Sequence, residues 1–213
     1  MYTKAKLWVM ERSRNAKLQQ FFSRYAGGPV LDVGVSGNNW SEMENVFLKN
    51  FRGQPAEYTA LGIEDLSELA RHYPDRRFVR YSGGRFPFDD GEFEWVYSNA
   101  VIEHVGDRDA QIAFLNEMLR VAKNVFFTTP NKWFPIESHT NVLLLHYFPD
   151  RFYRWCEQRK LYWNRETLNL LGAGDLREVL SCSTAREAQV IRNRLAGLTM
   201  TFSAVCTARP DGA

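Results

Sequence analysis

Hydrophobic and polar positions along the chain follow two rhythms. Over residues 3–25, Trp8, Met10, Leu18, Phe21, Phe22 and Tyr25 fall roughly on one side with lysines and arginines between them, which predicts a helix closed by Gly27-Gly28-Pro29. Short apolar, β-branched and aromatic runs then predict strands over residues 29–34, 57–63, 77–81, 93–98 and 125–129, the last stopped by Pro130. Between them, helical spacing returns over 40–51 (Met43, Val46, Phe47, Phe51), 66–72 and 107–120 (Ile112, Leu115, Met118, Leu119). Strand and helix in alternation predict an α/β fold, a parallel sheet with helices on both faces. Beyond it lies a basic amphipathic helix over 150–160, whose charges read as a solvated face or, alternatively, as a means to steer an anionic substrate. A short helix follows over 173–181, with Asp175 as its N-cap. Two strands over 188–192 and 198–206 turn around Ala196-Gly197 as an antiparallel pair.

The chemistry gathers where strands end. The stretch RFPFDDGEFEWVYSNAVIEHV (85–105) is a Pro and Asp-Gly turn, an aromatic strand, and then Asn99, Glu103 and His104. In open α/β sheets, ligands sit at the carboxyl ends of the strands. After the first strand, Gly34-Val35-Ser36-Gly37-Asn38-Asn39 forms a glycine turn that lets backbone N–H groups approach a ligand. After the second stand Glu64 and Asp65, either of which can accept two ribose hydroxyl protons in charge-assisted bonds. Both also suit the N-terminus of the helix that follows. His104 titrates near neutral pH in its unperturbed form and is the candidate general base, with the alternative of a core or capping histidine. Glu103 can orient His104, contact a substrate or merely begin a helix. The aromatic, proline-bearing loop 130–140 holds Asn131, Trp133 and His139. With His146 these are candidate lining of a substrate pocket, or of a packed cap on the sheet.

Phe86-Pro87-Phe88, Asp90, Phe93-Glu94, Val96, Ser98 and His104 resemble the middle signature of class I S-adenosylmethionine-dependent methyltransferases of the small-molecule type. Asp32 and Gly34 match that family's first loop, whereas Ser36 and Asn38 stand where its second and third glycines do. Gly-Ile-Glu-Asp-Leu-Ser (62–67) is similar to its Gly-x-Asp-x-Ser, which makes Glu64 the first choice for the ribose hydroxyls and Asp65 the second. TTPNKWFPIESHT (128–140) and LLLHYFP (143–149) resemble a bacterial subgroup. The resemblance implies a Rossmann-like doubly wound, mostly parallel seven-stranded sheet with an antiparallel C-terminal strand. It implies one domain over 1–213, with an N-terminal helix in 1–28 and a cap over 131–172. S-adenosylmethionine is the implied cofactor, held by Asp32, Gly34, Val35, Ser36, Glu64 and Asp65, by Ser82 and Gly83 at the adenine, and by Asn99 and Ala100 beside the sulfonium carbon. The implied reaction is methyl transfer to an oxygen, nitrogen or carbon nucleophile of a small molecule such as a saccharide, lipid or secondary metabolite. His104 and Glu103 are its catalytic residues and Asn131, Trp133 and His139 its substrate contacts.

Composition narrows the rivals. The 213 residues are 45% hydrophobic with a formal net charge of +2, which suits one globular domain and lacks a nucleic-acid footprint. Asn/Asp-Pro-Pro-aromatic, the mark of amino-methylating nucleic-acid enzymes, does not follow the fourth strand, so an RNA methyltransferase stays an alternative only. An oxidoreductase reading would want GxGxxG after the first strand, and 29–39 does not supply it. The altered glycine loop keeps open a non-catalytic, cofactor- or partner-binding relative. Cys156, Cys182 and Cys206 have no CxxC spacing and read as reduced thiols of a cytoplasmic protein, and no metal site is expected. No apolar run approaches the ~20 residues of a membrane span.

Overall fold

The computed structural model describes residues 4–38 and 44–209. Helix α1 (Lys4–Phe22) leads into β1 (Val30–Val33), α2 (Val46–Asn50), β2 (Tyr58–Gly62), α3 (Ser67–His72), β3 (Arg77–Arg80) and β4 (Phe93–Asn99). Then come α4 (Arg108–Val121), β5 (Ala122–Pro130), α5 (Pro149–Gln158), α6 (Ala173–Cys182), β6 (Glu187–Leu195) and β7 (Leu198–Thr207). The seven strands form one sheet in the order β3-β2-β1-β4-β5-β7-β6. Strands β1 to β5 pair in parallel, and β7 runs antiparallel to both β5 and β6. This is the Rossmann-like architecture expected from the alternation of elements. The order reverses between β1 and β4, which opens the crevice where such sheets bind ligands.

Alternation along the strands sends side chains to two cores. Leu31, Val33, Val96, Val125 and Phe127 join Leu115, Met118 and Val179 under α4 and α6. Val30, Trp95, Tyr97 and Phe126 face the other way, against Leu18 and Phe21 of α1 and Phe47 of α2. That second core is aromatic. Phe21 meets Phe47, Trp95, Tyr97 and Phe126 edge-on, and Phe47 stacks on Tyr97 at 3.9 Å between centroids.

Helix α1 packs through part of its apolar set, and one expectation, at α6, needs correction. Leu18 and Phe21 are seated in the core, but Trp8 is 57% exposed, so only the C-terminal half packs on the sheet. Helix α6 is capped at Gly172, and Asp175 sits three residues in, its Oδ2 accepting from the Gly172 N–H at 2.7 Å. The expected helix over 40–51 is seen as α2, and residues 39–43 lie outside the described residues. The arginines of α5 are exposed, as a solvated face should be. All three cysteines are free, Cys156 and Cys206 buried and Cys182 exposed.

Candidate active site

The site is built at the carboxyl ends of β1, β2 and β4. At β1, Asp32 is buried and accepts a hydrogen bond from Tyr58 Oη at 2.5 Å. Burial pushes its carboxyl up to about 7, against the pull of the tyrosine donor. Gly34 follows at φ +93°, where a Cβ would lie 2.2 Å from a methyl of Val101. The turn therefore demands glycine for conformation and for space.

Ser36 and Asn38 do not loosen this turn. The Ser36 N–H donates to Asn45 Oδ1 at 3.1 Å, and Asn45 Nδ2 donates back to the carbonyls of Ser36 and Asn38. The Asn38 N–H donates to Ser36 Oγ. A side-chain amide and a hydroxyl thus brace the backbone. Glu64, just past β2, is exposed and turned onto the loop: its Oε2 accepts from Gly37 N–H at 2.7 Å and Ser36 Oγ at 3.1 Å. Asp65 faces elsewhere, bonded to the N–H and hydroxyl of Ser67 at the start of α3, and these bonds hold its carboxyl below the ordinary range. Of the two acids, the geometry leaves Glu64 beside the glycine turn. Ser82 and Gly83 are exposed beyond β3.

At β4, Asn99 Oδ1 accepts from Thr128 Oγ1 at 2.8 Å across the strand pair and from Lys17 Nζ at 3.3 Å. Ala100 then takes a left-handed φ of +58°. Such strain in a non-glycine residue persists where surroundings enforce it, here a bond from its N–H to the Thr128 carbonyl. Lys17 is a residue that the sequence reading passed over. It is buried, and burial lowers its ammonium to about 8, although Glu103 favours the charge. A cavity of about 140 Å³ opens here between Asp32, Gly34, Ser36, Asn99 and the flanking Arg14, Leu18 and Asn45.

The short 3-10 turn Ile102–His104 carries the remaining groups. Glu103 is fully buried; Thr129 Oγ1 donates to its Oε2 at 3.1 Å, and its Oε1 has no partner. His104 is oriented by the Thr167 carbonyl at 2.9 Å from Nδ1, and not by Glu103. A carbonyl only accepts, so Nδ1 carries the hydrogen and the neutral ring leaves its lone pair on Nε2. His139 comes edge-on to His104 at 4.8 Å, and Trp163 stacks against His104 at 5.3 Å. His139 is fixed by Glu137, whose buried carboxylate also accepts from the N–H groups of His139 and Thr140 and from Thr140 Oγ1. Burial pushes Glu137 up, but the His139 and Thr140 donors outweigh it and hold it at about 2.

The structure brings His139 to His104 and leaves the other two substrate candidates apart from that pair. Asn131 is spent on the backbone, donating to the Thr199 carbonyl and accepting from the Trp133 N–H. Trp133 is 55% exposed and lies against Gly172 and Tyr147. The tryptophan that meets the histidines is Trp163, which no spacing pointed to. His146 donates from Nε2 to the Phe134 carbonyl and lines a separate cavity with Arg108 and Asp175.

The sheet order, the glycine turn with an acid beyond β2, and the polar end of β4 are arranged as in the class I S-adenosylmethionine-dependent methyltransferase fold. Residues 31–125, from β1 into β5, match the family described as a methyltransferase domain. Solved structures agree in fold. A SAM-dependent methyltransferase of Thermotoga maritima, described as a possible histamine N-methyltransferase, superposes with a TM-score of 0.58 at 13% identity, covering 96% of this chain and 94% of that one. DhpI, solved with S-adenosylhomocysteine, gives 0.60 at 16% identity, covering 95% and 87%. A phosphoethanolamine N-methyltransferase of Haemonchus contortus gives 0.57 at 13% identity, covering 93% of this chain and 53% of that one. At such identities the likeness is one of fold. Comparison with curated proteins gives no match. Among the described residues no helix is long and apolar enough to cross a membrane.

Proposed function

We propose that this methyltransferase acts on an oxygen, nitrogen or carbon nucleophile of a small molecule, bound between the 3-10 turn after β4 and the segment 131–172. S-adenosylmethionine supplies an electrophilic methyl group on a sulfonium that carries its own leaving group. The residues of the chain then have two tasks, alignment and proton removal. Alignment alone supplies roughly 7–11 kcal/mol in well-oriented reactions.

On the donor side, Glu64 accepts the two ribose hydroxyls. Its bonds to Ser36 and Gly37 already hold the carboxylate beside the turn. Asp32, Gly34, Val35 and Ser36 surround the methionine end, Ser82 and Gly83 the adenine, and Asn99 and Ala100 the reacting carbon. Gly34 fits this role, because any side chain there would collide with Val101 and fill the turn. On the acceptor side, His104 takes the proton at Nε2, and His139 and Trp163 flank the acceptor. The observation that carries the reading is the His104 Nδ1 bond to Thr167, which presents Nε2 as an acceptor one turn past Asn99. The small-molecule acceptor is supported by neighbours of the same fold described as a possible histamine N-methyltransferase and a phosphoethanolamine N-methyltransferase.

Calorimetric titration with S-adenosylhomocysteine, beside NAD and FAD, tests the donor half. Micromolar binding of the first alone, weakened roughly 10–100-fold in Glu64→Ala, is expected. A folded protein that binds none of them would transfer the weight to a partner-binding role.

A further inference from the structure

We propose that Glu103, His104 and His139 bind one divalent transition-metal ion, with zinc the best chemical match. One ligand atom from each lies within 4.8 Å of the others. The stronger argument is what those atoms carry. His104 Nδ1 donates to the Thr167 carbonyl, so its Nε2 presents a lone pair. His139 Nδ1 lies 2.6 Å from Glu137 Oε1, so in the neutral ring the hydrogen bridges to that carboxylate and the lone pair is on Nε2. Glu103 is fully buried, with Oε2 bound by Thr129 and Oε1 without a donor.

Two imidazoles and one buried carboxylate therefore gather with a ligand atom of each within 4.8 Å of the others. A buried carboxylate oxygen left without a donor is costly, and a cation is the group that satisfies all three at once. The surroundings are those that metal-binding residues keep. Each ring donates its other nitrogen to a carbonyl or carboxylate, and the carboxylate ligand is itself hydrogen-bonded. Trp163 packs against both rings, at 5.3 Å from His104 and 4.8 Å from His139. Two imidazoles and a carboxylate suit zinc, cobalt or nickel better than magnesium or calcium, which prefer all-oxygen shells. Zinc bonds of ~2.0–2.2 Å place tetrahedral ligand atoms about 3.3 Å apart, so the site closes by roughly 1–1.5 Å through rotation of the carboxylate and rings.

Three protein ligands leave the fourth position of a tetrahedral ion open. On the methyltransferase reading, on which this role alone rests, an acceptor hydroxyl or amine takes that position and loses its proton more readily when coordinated. With the ion bound, His104 acts on the acceptor proton through the metal; without it, Nε2 takes the proton directly, and in either case His104 serves proton removal.

The test uses the whole chain, stripped with a chelator and titrated calorimetrically with Zn²⁺ and, by visible absorption, with Co²⁺. One equivalent bound at micromolar affinity or tighter is expected, with the ligand-field band of a low-symmetry cobalt site. Glu103→Gln and His139→Ala should abolish that band, and Glu137→Gln should weaken binding ~10–100-fold through the orientation of His139. Absence of stoichiometric binding by the unaltered protein overturns the proposal without recourse to any variant. So does binding that Glu103→Gln and His139→Ala leave unchanged in folded protein. S-adenosylhomocysteine titration of the same samples separates the two readings. Metal bound without it removes the methyltransferase role and keeps the site; its binding without metal does the reverse.

Discussion

At the glycine turn, Glu64 is exposed and leans on a main-chain N–H, and half-buried Asn45 braces the turn through carbonyls, above the buried Asp32. On the acceptor side, the groups are buried and hold one another. Glu103 and Glu137 are almost wholly covered, and His104 and His139 are each fixed at Nδ1. An exposed carboxylate adapts to a flexible ligand at little cost. A buried network has one arrangement and loses heavily when a member is removed. The difference is between a region whose exposed carboxylate can follow a bound ligand and one whose buried network fixes its groups in one arrangement.

The largest expected effect lies in the second half. His104→Ala should lower turnover by ~10²–10⁴-fold, the usual weight of a proton-transfer group, with the affinity for S-adenosylhomocysteine nearly unchanged. Steady-state kinetics beside calorimetry checks it, and equal losses in both would erase the contrast between the halves. Glu64→Ala should do the opposite. Losing charge-assisted bonds worth about 1.5–3 kcal/mol weakens cofactor binding roughly 10–100-fold, and turnover at saturating cofactor survives.

Stability distinguishes the halves again. Glu137 is held at about 2, below its ordinary 4.5, so the folded state binds fewer protons than the unfolded chain across that window. Its contribution is present above pH 4.5 and is lost as pH falls toward 2. Glu137→Gln should lower stability at neutral pH by about 1–3 kcal/mol, and the gap to the unaltered protein should narrow in melts below pH 4.5. A gap independent of pH would mean that shape, not charge, is what Glu137 supplies. Lys17 works at the other end. Its ammonium is lowered to about 8 from 10.5, so the unfolded chain binds more protons between those values and stability rises with pH there. Lys17→Met should flatten that rise.

The positions of the turn after β1 and of the acid after β2 were legible in the sequence because their determinants are local. Gly34 is needed by its own φ, and Glu64 follows its strand directly. The strand sequence of β4 and the turn before it predicted where Asn99 would stand. The acceptor half was legible only in part. His104 and His139 are 35 positions apart, and Thr167 and Trp163 lie further on; their meeting is a product of how the segment after β5 folds back, which no period encodes. Trp133 stands in a conspicuous loop and so draws attention in the sequence, yet it faces Gly172 and solvent, while Trp163 carries no such signal. Lys17 escaped because a lysine on an amphipathic helix reads as surface, and only the packing of α1 on the sheet carries it to Asn99. Asp175 was misplaced by three residues because an aspartate serves a helix start at the N-cap or at the third position.

The smallest effect tests the donor half most finely. Asp65 stands next to Glu64 and carries the same charge, so a cofactor site that merely needed negative potential would use both. The geometry separates them, since Asp65 is committed to the N–H and hydroxyl of Ser67 and caps the start of α3. Asp65→Asn keeps a side-chain oxygen that accepts from Ser67, and it removes a charge that is exposed and screened. Cofactor affinity should change by less than about twofold, as for other exposed substitutions away from a contact, with a small loss of thermal midpoint. A loss comparable to that of Glu64→Ala would mean that the two carboxylates share the ribose, and that the Ser67 bonds give way when the cofactor binds.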